Sequence, residues 1–324
     1  MDAELANAMR DAGLSPELAE ELASLARSEE RSLDPYLLTV EEPVQLPETQ
    51  ATCRCHFVAF GGNDLPMTKQ LVRWLVAQAV DYCIPRSRIR EAKALDAATN
   101  STEGTTRLAF EAAQLFTKLK TSGEGGEMLL YLLLEVGMGL PQLLCKMPLK
   151  TDENMHVHGT DGIHGELLDN GNLALYWGES KLYKSANSAI DNALAGISPF
   201  LKDPDGEEAR RDILLLRDHL DLDSPDLTEA LSRYFKDGTG EHAMIEARGA
   251  VLVGSSLEDY RFPLEDDRVT VTADAAALIE NWRSRVGLKI DANGLGDFEL
   301  EVFFVPFPDV QEFRDEIRSA LGVN

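Results

Sequence analysis

Apolar positions along this chain follow two rhythms, one of three to four residues and one of two, and the chain switches between them repeatedly. Near the start, Leu5, Met9, Leu14, Leu18, Leu22 and Leu25 recur at close to the helical spacing. Ser15-Pro16-Glu17 interrupts them with a fresh helix start, Ser as cap and Pro at the first helical position. The pattern predicts a two-helix extension over residues 1–30 and a linker through Glu42, Pro43, Leu46 and Pro47. Residues 52–60 alternate into a strand that stops at Gly61-Gly62. Helical spacing returns over 67–82 and 105–119, and the Ser- and Gly-rich segment 121–126 predicts a flexible turn.

From Glu127 an apolar helix begins, which Pro141 bends or restarts. Residues 155–168 and 173–183 read as extended runs on either side of Asp169-Asn170-Gly171-Asn172, and an Asn-Gly pair in that setting is a strong hairpin signal. The rest predicts a helix over 185–201, an acidic helical region over 203–234, a strand over 242–255, a helix over 274–286, a strand over 298–305 and a closing helix over 309–321. Helices and strands alternate, which makes the class α/β.

Charge narrows the function. Lys plus Arg number 31 against 56 Asp plus Glu, giving a net charge of −25 and a pI near 4.6. That balance argues against a freestanding nucleic-acid binder, whose affinity rests on clustered Lys and Arg, and against docking on an anionic membrane. The first residues carry Asp2, Glu4 and Asp11 with no basic start and apolar run, and the most apolar window, 128–145, is broken by Glu135, Gly137, Gly139 and Pro141. Neither a secretory signal nor a membrane span is predicted, so the expected location is cytoplasmic. Cys53, Cys55, Cys83 and Cys145 lack the paired spacing of a zinc site and read as small core residues.

The chemistry concentrates in His156-Val157-His158-Gly159-Thr160-Asp161-Gly162-Ile163-His164 and, across the hairpin, Trp177-Gly178-Glu179-Ser180-Lys181. Asp161 on one strand and Glu179 on the next bring two carboxylates together, and they repel unless a proton or cation lies between them. A hard divalent ion, Mg2+ or Mn2+, suits two carboxylates and a backbone carbonyl such as that of Ser180. Glu179 and Lys181 stand two apart on a strand, so both side chains leave one face. There Lys181 can orient water or stabilise charge developing on phosphate. Gly126-Glu127 opens the apolar helix just upstream, and either Glu127 or Glu135 is placed to complete the set of acids.

A helix with Gly-Glu, a strand with Asp, a turn, a strand with Glu-x-Lys and a helix together resemble the PD-(D/E)xK nuclease core. More narrowly, Gly126-Glu127 with Leu129-Leu130-Tyr131, then Lys146-Met147, the 158–164 segment and Gly178-Glu179-Ser180-Lys181, resemble the HamA family, nuclease subunits of Hachiman anti-phage systems. The close match covers residues 125–189. The resemblance implies a restriction-endonuclease-like mixed sheet flanked by helices over 46–324, with a catalytic core at about 124–202 behind the 1–45 extension. It also implies metal-dependent cleavage of DNA and a partner helicase, HamB, that restrains and directs it. Asp161, Glu179 and Lys181 take the catalytic roles, with Glu127 beside them; Asp161, Glu179, Ser180 and Glu127 would hold the metal. Thr160 stands where the short motif has Pro, which supplies no ligand.

The hairpin raises a parity condition. A two-residue loop at Asn170-Gly171 would pair Asp161 with Ser180 and turn Glu179 to the opposite face. The site therefore requires an odd-length loop or a β-bulge, which Gly162 or Gly178 would tolerate. Two other chemistries share the segment: a histidine metal site built from His156, His158, Asp161 and His164, and a non-catalytic acidic adaptor. Arg86, Arg88 and Arg90 share a parity that would make a basic stripe on an extended segment, or are solvated surface. Residues 203–229 predict a local negative face.

Overall fold

A computed structural model describes residues 16–26, 31–117, 122–149, 159–222, 224–236 and 238–323. The period-two segments become strands β1 (Leu37–Thr39), β2 (Val44–Gln45), β3 (Ala51–Val58), β4 (Gln142–Leu144), β5 (Gly162–Leu167), β6 (Leu173–Tyr183), β7 (Ile245–Ser256) and β8 (Leu300–Phe307). Among the described residues they form one mixed sheet in the order β1-β3-β8-β7-β6-β5-β4, with β2 also paired to β3. The central four, β3, β8, β7 and β6, run parallel, while β1, β2, β5 and β4 add antiparallel edges.

Parallel strands covered on both faces are apolar on both, and here the alternation sorts the core into two layers. Leu173, Leu175, Trp177, Val251, Val253, Val302 and Phe304 face one way. Ala174, Tyr176, Leu182, Ala250, Leu252, Phe303 and Val305 face the other. Helix α1 (Pro16–Ser24) sends Leu22 into the first layer. The second is covered by α2 (Thr68–Ala77), α3 (Ala79–Cys83), α4 (Arg86–Thr99), α5 (Glu103–Gln114) and α6 (Glu124–Leu132), which ends in a π turn over Leu133–Gly137. The first layer is roofed by α7 (Ala186–Lys202), α8 (Glu207–His219), α9 (Pro225–Ser232) and α10 (Ala273–Ala292), and α11 (Val310–Leu321) returns to the second. The result is a mixed sheet between two helical layers with a helical N-terminal extension. Of that extension's two expected helices, the first lies outside the described residues.

Several local expectations are corrected. The arginine trio lies on α4, not on an extended segment: Ile89 and Ala92, three apart, are buried, and helical spacing sends the arginines apart. Arg86 goes inward to Glu135 at 3.0 Å and Arg88 pairs with Glu111 in a two-pronged ion pair. The helix expected over 67–82 is broken at Gln78 into α2 and α3. The glycine-rich segment before Glu127 is not all turn, because α6 begins at Glu124 and takes in Gly125 and Gly126. These glycines permit close packing: a methyl at Gly125 would press on Ile317 and Phe313, and one at Gly126 would run into Leu182. Cys53, Cys55 and Cys83 are buried, as core residues should be.

Candidate active site

The hairpin satisfies the parity condition through an odd-length loop. Leu168 N–H donates to Asn172 O at 2.8 Å and Gly171 N–H to Leu168 O at 2.9 Å, with Gly171 at φ +84°, where a side chain would be strained. Three residues therefore separate Leu168 from Asn172, and Leu167 pairs with Leu173, Ile163 with Trp177 and Gly162 with Gly178. One step further, Asp161 stands across from Glu179, its N–H donating to Gly178 O at 2.9 Å.

The two carboxylates lie at the rim of β5 and β6. Asp161 Oδ2 accepts from the Ser180 N–H at 2.6 Å and from Ser180 Oγ at 2.8 Å, which fixes it on the turn of chain before β5. Glu179 leaves the face roofed by α7 and is bonded to Lys181 Nζ. Its carboxylate lies against Gly196 of α7, where a methyl would come within 2.7 Å of both Cδ and Oε1. Burial, reinforced by the charge of Asp161, pushes the Glu179 carboxyl up to about 7. Burial also disfavours the Lys181 ammonium, but Glu179 and Asp161 outweigh it and hold that group above its ordinary value.

The opposite face meets α6. Glu127 is half-buried in the first turn of α6, and its Oε2 accepts from the Tyr82 hydroxyl at 3.3 Å. Tyr82 is held well above its usual range by burial first and then by Glu127, with Asp161 contributing as well. Glu135 is fully buried elsewhere, accepting from Arg86, from the Tyr131 hydroxyl at 2.9 Å and from the Gln142 N–H at 3.1 Å. His164 is buried between Tyr131 and the carbonyl of Leu140, to which its Nδ1 bonds at 2.8 Å, so it serves as a packed donor on the α6 side. Burial lowers its affinity for a proton. His156 and His158 lie outside the described residues. Among the described residues, no three His, Cys, Asp or Glu side chains converge to hold a metal ion.

Beside the acids is a buried ion pair that the sequence analysis assigned no role. Lys146 Nζ donates to both carboxylate oxygens of Asp212 at 2.9 Å, to Thr160 O at 2.9 Å and to Thr160 Oγ1 at 3.1 Å. Asp212 belongs to the acidic region expected to form a negative face, yet it is fully buried. A signal for it existed: Ala209, Asp212, Ile213 and Leu216 make one buried stripe of α8, and an acid on an apolar stripe needs a partner.

The HamA family model matches residues 34–321, which takes in the whole sheet and every helix except α1. The chain belongs to the HamA family. That membership makes it a Hachiman-associated protein and supports a role in this type of defence. No curated protein matches the chain. The segments that carried the resemblance, from Gly126 through Lys146 to Lys181, occupy the HamA match's α6, β4–β5 and β6, and they meet at one end of the sheet.

Proposed function

We propose that this HamA-family protein is a metal-dependent DNA endonuclease acting within an anti-phage complex, where a HamB-like helicase restrains and directs it. The observation that carries the reading is the β5–β6 register, which sets Asp161 across from Glu179 with Lys181 bonded to the latter. The donor set fits a hard divalent cation: burial and the Asp161 charge together raise the Glu179 carboxyl, and a cation between the acids would relieve that excess of negative charge.

Asp161, Glu179 and the Ser180 carbonyl would hold Mg2+ or Mn2+, which when bound supplies Lewis-acid stabilisation of a phosphoryl oxygen, and Glu127, which faces Tyr82 on the α6 side, would have to turn toward the two acids to join them. The protein's own part is positional. Asp161 is oriented by the two Ser180 donors, Glu179 is backed by α7 at Gly196, and Lys181 presents an ammonium beside the scissile phosphate to orient water and offset developing charge.

Plasmid cleavage by the purified protein, with the helicase partner present and absent, tests this. Cutting is expected to require Mg2+ or Mn2+, to stop with chelator, and to fall by roughly 10²-fold or more in Glu179→Ala and Lys181→Ala. Normal cutting by either variant would end the assignment at these residues.

A further inference from the structure

The Lys146–Asp212 pair is an expensive feature at an informative place. An ion pair removed from water seldom stabilises a fold relative to well-packed apolar residues of like volume. Lys146 sits on the stretch after β4 and Asp212 on α8, with side chains only 6% and 0% exposed. What joins them to the site is the chain between: Thr160, immediately before Asp161, is held by Lys146 through both its carbonyl and its hydroxyl, and its hydroxyl also donates to Asp212 Oδ2 at 3.0 Å. Gly159 completes the arrangement. At φ +114° it adopts a backbone that side chains rarely take, and a methyl there would lie 2.7 Å from Asp212 Oδ1 and 3.1 Å from Lys146 Nζ.

We infer that Lys146 and Asp212 are positioning residues of the active site, a buried clamp that fixes Gly159-Thr160 so that Asp161 stays in register with Glu179. Asp161 precedes the first residue of β5, where strand pairing alone leaves a chain end free to fray. Among the described residues its own bonds run to β6 alone, through its N–H to Gly178 and its carboxylate to Ser180. The clamp supplies restraint from the other side, tying the segment to α8 and to the end of β4. The inference rests on the nuclease reading for its purpose, but the restraint itself is testable without it.

The test replaces the pair by apolar residues, Lys146→Met with Asp212→Leu, so that neither charge is left buried alone. The melting temperature should hold or rise. Amide hydrogen exchange at Asp161 should quicken at least tenfold while the mid-strand amides of Leu175 and Trp177 stay protected, and Mn2+ affinity by calorimetry should fall at least tenfold. Thr160→Val is the second arm, since it deletes one held group at nearly constant volume and leaves the ion pair intact. It should speed Asp161 exchange about threefold with the melting temperature lowered by a few degrees at most, well short of global unfolding. Unchanged Asp161 exchange in the folded double variant, or in Thr160→Val if the double variant does not fold, overturns the clamp. Wild-type protein that binds no Mn2+ would instead sink the metal reading, and the exchange arm would still judge the clamp.

Discussion

Glu127 and Glu135 lie eight residues apart on one continuous helical run, and their surroundings assign them opposite tasks. Glu135 is enclosed with Arg86, so Glu135→Gln leaves a guanidinium that is mostly buried without its countercharge, at a cost of about 3 kcal/mol. Glu127 is half-buried beside Tyr82, and Glu127→Gln keeps both shape and an acceptor. Urea unfolding should therefore separate them, with the midpoint of Glu135→Gln well below the parent and that of Glu127→Gln close to it. Cleavage should rank the other way for the folded fraction, and a stable Glu135→Gln would show that the Arg86 pair carries no structural weight. Two histidines give the protein an acid-side weakness. Burial, aided by Arg54, lowers His56 to about 4, and burial lowers His164 as well. The unfolded chain accepts these protons near 6.5 and the folded chain refuses them, so their contribution is intact above 6.5 and is lost as pH falls below it, in the case of His56 down to about 4. For His56 the loss amounts to about 3 kcal/mol at the acid end. Glu179 works in the opposite sense, since its raised carboxyl favours the fold below its ordinary value and that advantage fades as pH rises through 7. Urea midpoints between pH 7.5 and 4.5 should fall less steeply in His56→Leu than in the parent; equal slopes would show that His56 takes up its proton without unfolding.

At the scale of elements, the site exists because helices approach β6 closely from both faces. Gly126 of α6 sits on Ser180 and Leu182, and Gly196 of α7 sits on Glu179. Gly196→Ala should raise helix propensity by up to about 1 kcal/mol while its methyl pushes the Glu179 carboxylate aside. The clash takes in Glu179 Cγ at 2.9 Å as well as the carboxylate, so the whole side chain must swing; with the helix gain offsetting that loss, the melting temperature should stay near the parent's while plasmid cleavage falls at least tenfold. Full activity in that variant would mean that Glu179 works from another rotamer. Much of this frame was legible in the chain. The pairing of Asp161 with Glu179 was legible as a condition, an odd-length loop or a β-bulge, because a period of two sets Asp161 across from Ser180 otherwise; the chain uses the odd loop. The core strands announced themselves by alternation, and the helix after Ser185 by its spacing. What stayed hidden depended on partners remote in sequence. The shared parity of Arg86, Arg88 and Arg90 left a basic stripe and solvated surface both open, because the counterions of Arg86 and Arg88, Glu135 and Glu111, are far along the chain. Asp212 looked like one acid among many until Lys146, 66 residues away, was found beside it. The short strands β1, β2 and β4 carry two or three residues each, too few to set a rhythm.

For the molecule as a whole, the charge of −25 would govern how DNA reaches the proposed nuclease site. At physiological ionic strength the Debye length is about 8 Å, so a duplex responds to the local surface and gains nothing from distant cations. Among the described residues the local supply is thin. Lys181 is shared with Glu179, Lys184 sits 3.8 Å from Glu258, and the arginines of α4, one reading of which was a basic stripe, include two already paired with acids. Each phosphate neutralised adds one counterion-release increment, and one or two such increments do not retain a duplex. A chain so disposed needs its strand delivered, which is the task the proposed helicase partner would perform, and its acidic surfaces would then match positive surface on that partner and speed their association. In a gel shift at about 150 mM salt, the protein alone should therefore leave DNA unretarded, whereas the complex with its helicase should bind clearly and release as salt is raised. Tight, salt-resistant binding by this chain alone would overturn that division of labour while leaving the proposed Asp161–Glu179–Lys181 site untouched, because in that proposal retention of the duplex and cleavage of the phosphodiester rest on different residues.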